Sequence, residues 1–267
     1  MGIFSQAKII FERRNGEESI QVIQRSGKME LRFGNHIVQS QMSITQPDNL
    51  LLEYTQAMMV GFALHPEVSS TLQIGLGAGA IARFIHRFFP TCHQDIVEIS
   101  PDVVEVARLF FRLPTSDQLQ VYQEDGLAFV NRCKQRYDLV FQDAYLAEGV
   151  PGQLQTQEYM KSLREILAPG GWLVKNVWGS NSANLKLEAS TLSAIFPVVY
   201  SIPVGVGTNV IFFATSGQQA FSLRDTLQRS DGISEMIPFH LNRWVKTLQR
   251  TRQPQNGPLA EPLARIL

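Results

Sequence analysis

Several absences narrow what this chain can be. It has only two cysteines, Cys92 and Cys133, in no metal-ligand spacing and with no C-x-x-C. Two reduced thiols are therefore expected, without a disulfide framework or a thiolate metal site. Charge of one sign is not in excess: Lys+Arg and Asp+Glu number 24 each, a formal net charge of zero. That balance gives no global attraction to nucleic acid or to an anionic membrane. No window reaches the roughly 20 apolar residues of a membrane span, and the opening MGIFSQAKIIFERRNGEE holds no long apolar stretch. Charged residues make up only 18%, which a buried interface with a second copy would explain, although ordinary soluble enzymes share the trait. The expectation is a soluble cytoplasmic homodimer acting on a small molecule without a metal.

Two phosphate-binding signatures are missing as well. The dinucleotide pattern G-x-G-x-x-G is replaced by G-x-G-x-G at Gly75, Gly77 and Gly79, with Ala80 where the third glycine would fall. No Lys-Ser/Thr pair follows the loop, so a triphosphate cradle is not expected. What is present is a short apolar run (Leu72, Ile74) entering the glycine turn, followed by a helical pattern at Ile81, Phe84, Ile85 and Phe88. A second apolar strand, Ile96–Ile99, then carries one acid, Glu98, at its C-terminal end. Glycines let a backbone approach a ligand closely, and a strand-end carboxylate can accept both hydrogen bonds of a ribose diol. Together they read as a nucleoside site. The lack of a phosphate cradle points to a sulfonium nucleoside, S-adenosylmethionine or its decarboxylated form.

The chain divides into three expected parts: residues 1–48, 49–220 and 221–267. The first alternates in short runs (Lys8–Glu12, Ser19–Gln24, Met29–Phe33, His36–Met42) around Asn15-Gly16, Ser26-Gly27 and Gly34-Asn35, which predicts antiparallel hairpins. A helix is expected from Asp48 to His65, with Met58 and Met59 in the core. Strands at Thr71–Ile74, Gln94–Ile99, Leu119–Gln123, Tyr137–Gln142 and Trp172–Val177 alternate with helices at Ala80–Phe89, Pro101–Phe111, Gly126–Cys133 and Thr156–Leu167. This rhythm predicts a doubly wound, mostly parallel α/β sheet. A helix from Asn184 to Ile195 and the strands Val198–Ile202 and Asn209–Ala214 complete seven strands; the short turn between the last two makes them antiparallel. From about Phe221 the chain reads as a solvated, partly ordered tail, or else as a basic anion-binding segment.

Ligands of open α/β sheets bind beyond the carboxyl ends of the strands, which selects Glu98, Asp125 and Asp143. Asp125-Gly126 opens a helix, so Asp125 is an N-cap, a hydrogen-bond acceptor for an adenine amino group, or both. Asp143 precedes the loop DAYLAEGVPGQL and has no capping duty, which makes it the candidate catalytic residue, with Tyr145 and Glu148 as weaker ones.

These residues resemble the spermidine/spermine synthase family of polyamine aminopropyltransferases over most of the chain. The family's VEIDPxVVExAR is matched by Val97-Glu98-Ile99-Ser100-Pro101 with Val103, Val104, Glu105, Ala107 and Arg108. Its GDG turn is matched by Glu124-Asp125-Gly126, its YDVIxxD strand by Tyr137-Asp138-Leu139-Val140 and Asp143, and its LxPGGxLV by Leu167, Pro169, Gly170, Gly171, Leu173 and Val174. The N-terminal S-x-Y/F-Q-x-I corresponds to Ser19, Gln21 and Ile23, and the glutamine after a DG turn to Gln39. The resemblance implies a methyltransferase-like (Rossmann-like) sheet behind a small N-terminal β domain. It further implies a cofactor site at Gln21, Gly75, Gly77, Gly79, Glu98, Asp125 and Gly126, and aminopropyl transfer from decarboxylated S-adenosylmethionine to an amine held by Asp143.

The departures fall on the acceptor half. Ala78 replaces the acid of GGGDGG, Leu146 the second acid of DSxDP, and DNLLLEY the acidic, histidine-bearing DExxYHE. Burying a dication needs carboxylate partners, so an altered acceptor is implied. Two alternatives remain at this point: an S-adenosylmethionine-dependent small-molecule methyltransferase, and a non-catalytic ligand-binding member.

Overall fold

A computed structural model describes residues 7–15, 18–34, 37–144, 151–178, 182–205, 209–217 and 222–251. Alternation and turn chemistry build the first sheet: β1 (Lys8–Asn15), β2 (Glu18–Arg25), β3 (Lys28–Phe33) and β4 (Ile37–Ser43) pair antiparallel in sequence order. Ser26 and Gly27, at φ 49° and 74°, close the β2–β3 hairpin as their dipeptide predicts. The inward residues Val22, Leu31 and Met42 cluster with Ala78, Val106 and Phe111, so the small sheet buries its apolar face on the larger unit. Arg13 on β1 adds an ion pair to Glu105 at 2.8 Å and another to Asp102.

The helix expected over Asp48–His65 forms later and in two pieces, α1 (Glu53–Met58) and α2 (Val60–Leu64). Leu52 holds extended backbone (φ −89°, ψ 127°), so the first turn cannot start before it. At Gly61 the backbone lies so close to the large sheet that an added Cβ would sit 3.0 Å from Val174 Cγ2. Met58 and Met59 are fully buried core residues, as the sequence suggests.

The larger unit then alternates as expected: β5 (Ser70–Ile74), α3 (Ala80–Phe88), β6 (His93–Glu98), α4 (Pro101–Phe110), β7 (Leu119–Gln123), α5 (Gly126–Arg132) and β8 (Tyr137–Gln142). After a 3-10 turn at Gly152–Gln155 come α6 (Gln157–Glu165), β9 (Leu167–Trp178), α7 (Ser182–Ile195), β10 (Val198–Val204) and β11 (Asn209–Thr215). The sheet order, with a last strand β12 (Gln249–Arg250), is β12-β10-β11-β9-β8-β5-β6-β7. Strands β5 to β9 pair in parallel, while β11 is antiparallel to both β9 and β10. The seven expected strands are present and β12 is an eighth. One apolar cluster holds α1 and α2 against one face of the sheet, and a second holds α6 and α7 against the other. Among the described residues, no helix is long and apolar enough to cross a membrane.

The expected C-terminal tail is corrected by the structure. Residues 222–251 fold as α8 (Leu223–Met236), α9 (Asn242–Val245) and β12, and residues 252–267 lie outside the described part. Leu241, Trp244 and Val245 are buried in the cluster that contains α1 and α2, and Phe239 stacks on Phe84 at 5.6 Å. The segment's polar residues mask a sparse apolar set: Leu227 and Ile233 on α8, Ile237 and Leu241 in the connection, and Val245 on α9, all packed in that cluster.

Candidate functional site

Strand order reverses between β5 and β8, the position at which an open α/β sheet leaves a crevice. A cavity of about 580 Å³ opens there, walled by the carboxyl ends of β5 to β8, the start of α3, Tyr54 and Thr55 of α1, and residues of the small sheet. Four carboxylates line it (Glu98, Glu124, Asp125 and Asp143), and no Lys, Arg or His occurs among its described lining residues. Every charged side chain among its described lining residues is therefore an acid.

The glycine turn sets the floor. Gly75 follows β5 at φ +91°, and a Cβ there would stand 2.5 Å from the Asp143 carbonyl oxygen, so only glycine lets β5 and the end of β8 meet so closely. Gly75, Gly77 and Gly126 line the cavity. Gly79 does not; at φ +68° it is the left-handed residue that starts α3, packed under Leu113. Its expected contact with a ligand is thus replaced by a turn duty.

Glu98 ends β6 with its side chain almost fully buried. One carboxylate oxygen accepts the Leu76 N–H at 2.9 Å and the other the Ser100 N–H at 2.9 Å. The backbone N–H groups of Ile99 and Gly77 also favour the charged carboxylate. Burial raises its pKa above the ordinary carboxylate value, and the backbone donors of Leu76 and Ser100 oppose that rise.

Asp125 caps α5 by accepting the Ala128 N–H at 2.9 Å, and its second oxygen accepts from the Gln153 side chain at 2.9 Å. It lines the cavity, so the capping role and a ligand-facing position coexist. Asp143, half-buried past the end of β8, accepts from Asn176 Nδ2 at 2.8 Å and from the Tyr54 hydroxyl at 3.2 Å. Asn176 in turn accepts from Asn209 Nδ2 at 2.9 Å. Enclosure raises the Asp143 pKa, against the lowering effect of Asn176 and then Tyr54. Tyr145, Leu146 and Glu148 lie outside the described residues.

Gln21 does not face the cavity: its side-chain amide donates to Glu12 on the neighbouring strand at 3.0 Å. Period-two alternation explains this, since Ile20 and Val22 take the inward face. Gln39 lines the cavity instead. Between β3 and β4 the register jumps from Leu31↔Ser40 to Arg32↔Val38, so Gln39 is the extra residue of a bulge. A bulge re-aims a side chain, here placing consecutive Gln39 and Ser40 on one wall.

Sequence reasoning missed three contributors. Tyr54 and Asn176 became visible only as partners of Asp143. Arg83, on α3, is buried and donates to the carbonyls of Pro47 (3.1 Å), Phe111 (2.7 Å) and Ala78, pinning the glycine turn to the β4–α1 connection and to α4. Burial lowers its pKa to about 10. A charged residue amid the apolar positions of α3 was the available signal. Ala78, at the place of the family's loop acid, is fully buried against the small sheet and is not among the described residues that line the cavity. Among the described residues, no group of three or more His, Cys, Asp or Glu could hold a metal ion.

An open sheet of this order, with an acidic cavity at its switch point, defines a methyltransferase-like fold. The chain belongs to the spermine/spermidine synthase family, whose domain profile matches residues 52–221. It is 28% identical over 243 residues to a polyamine aminopropyltransferase of Chromobacterium violaceum, covering 90% of this chain and 93% of that one. Two solved structures share the fold. A probable spermidine synthase of Corynebacterium glutamicum aligns with TM-score 0.71 at 18% identity, over 96% of this chain and 100% of the other. Human methyltransferase-like protein 13, solved with S-adenosylhomocysteine, aligns with TM-score 0.64 at 24% identity, over 80% of this chain and 99% of the other.

Proposed function

We propose that this chain binds decarboxylated S-adenosylmethionine in the cavity and transfers its aminopropyl group to an amine. The observation that carries the reading is the sign of the lining's charge: every charged side chain among the described lining residues is a carboxylate. Arg132 pairs with Glu124, but Glu98, Asp125 and Asp143 remain to suit a sulfonium and an ammonium, both cations. Family membership supplies the reaction class. In such a transfer the nitrogen–carbon bond forms as the carbon–sulfur bond breaks, the electron pair stays on sulfur, and the nitrogen gives up a proton. Glu98, fixed by two backbone donors, holds the ribose hydroxyls, and Asp125 with the 3-10 turn edges the base. Asp143 holds the amine and accepts its proton, a role that a raised carboxylate pKa favours because it narrows the gap to the amine.

One observation favours methyl transfer as the second reading. With Ala78 buried and apolar, the described glycine turn offers no carboxylate to an aminopropyl ammonium. Calorimetry separates the two. Tighter binding of methylthioadenosine than of S-adenosylhomocysteine is expected here; the reverse order would favour methyl transfer, and no binding of either would favour a non-catalytic member.

A further inference from the structure

Gln73 is a polar residue one position from the carboxyl end of β5, 4% exposed, and it lines the cavity. Its amide orientation is fixed, because Nε2 donates to the Gly75 carbonyl at 2.6 Å. Its carbonyl oxygen Oε1 is buried with no hydrogen-bond partner. A buried acceptor left unpaired is costly, so such an oxygen is retained where something outside the chain satisfies it. Gln73 pairs with Phe141 in the parallel register, which by strand alternation puts its side chain on the same face of the sheet as that of Asp143. Asp143 itself follows directly, its N–H donating to the Ile74 carbonyl at 2.9 Å.

We propose that Gln73 Oε1 and the Asp143 carboxylate together bind the acceptor amine, each taking one N–H, so that the site selects primary and secondary amines over tertiary ones. The inference rests on the amine-acceptor reading above. Its chemistry follows from counting donors: once Asp143 has taken a proton from a primary ammonium, the neutral amine still has an N–H for Gln73. Its lone pair is then free to attack. A tertiary ammonium has one N–H in all, and Asp143 uses it.

The test measures binding and does not need turnover. Butylamine, N-methylbutylamine and N,N-dimethylbutylamine are titrated by NMR into the full chain, with and without methylthioadenosine. The first two are expected to bind within about threefold of each other, and the third roughly tenfold more weakly, the loss of one hydrogen bond. In Gln73→Met, compared at saturating methylthioadenosine because the change also removes the donor to the Gly75 carbonyl, that gap should shrink to about twofold. Equal binding of all three amines, a loss already complete at the first methyl, or no binding of butylamine would overturn the proposal. So would a gap that persists in a folded Gln73→Met protein. If that variant does not fold, the methylation series in the parent chain decides. Failure of turnover with every amine would remove the aminopropyl reading but would leave this binding pattern to be judged separately.

Discussion

At Glu98 one carboxylate serves two sets of donors, the backbone N–H groups of Leu76 and Ser100 and, in our reading, a ribose diol. Glu98→Gln keeps the shape but turns one oxygen into a donor, which then faces a backbone N–H. Affinity for an adenosyl ligand should fall roughly ten- to a hundredfold, from charge-assisted bonds lost. Tm should fall by about 2–6 °C, since one unpaired buried donor costs on the order of 1–3 kcal/mol and the removed charge offsets part of it. Calorimetry on the mutant checks this; ligand affinity equal to the parent's would take Glu98 off the ribose. Asp143 gives a signed pH test. Its raised pKa places the acid limb of kcat/KM above the roughly pH 3.9 of an ordinary aspartate. Asn176 pulls that pKa down, so Asn176→Leu should move the limb to higher pH; a limb that stays in place would mean that another group titrates. Both acids are raised in the fold, so their ionised forms cost stability above those pKa values. That cost disappears as pH falls through them, and neither residue drives acid unfolding.

The elements around the cavity depend on each other through Arg83. Arg83→Met preserves volume but leaves the carbonyls of Pro47, Ala78 and Phe111 without their donor. A stability loss of about 2–5 kcal/mol is expected, together with weaker adenosyl binding, because the turn carrying Gly75 and Gly77 loses its clamp. Chemical denaturation measures the first and calorimetry the second; unchanged values in both would show that the turn holds itself. Much of this level was legible in the sequence. The βαβ rhythm fixes strand order only through the right-handed crossover rule, yet it placed Glu98, Asp125 and Asp143 at strand ends by hydrophobic period alone. Gln21 and Gln39 show where reading stops. Alternation turns Gln21 away, whereas Gln39 reaches the cavity as the extra residue of a bulge opposite Leu31 and Arg32, and residue types alone do not encode the position of that bulge. Gly79 is similar: a turn glycine and a ligand-contact glycine look identical in sequence.

At the scale of the whole molecule, the C-terminal helices behave as part of the core. Their apolar residues are too widely spaced among polar ones to announce a buried face, and only the uncovered surface of α1, α2 and α3 explains why they dock. Leu241→Ala should cost about 2–5 kcal/mol, as for other fully buried leucines, with Tm lowered by roughly 5–15 °C. An unaltered Tm would show the segment to be a loose appendage. The account's central claim is chemical, and one assay addresses it directly. The purified chain is incubated with decarboxylated S-adenosylmethionine and a panel of mono- and diamines, and methylthioadenosine is followed by chromatography. The account expects methylthioadenosine in step with an aminopropylated amine, and loss of both in Asp143→Asn. No methylthioadenosine with any amine, from protein that binds the nucleoside, would contradict it.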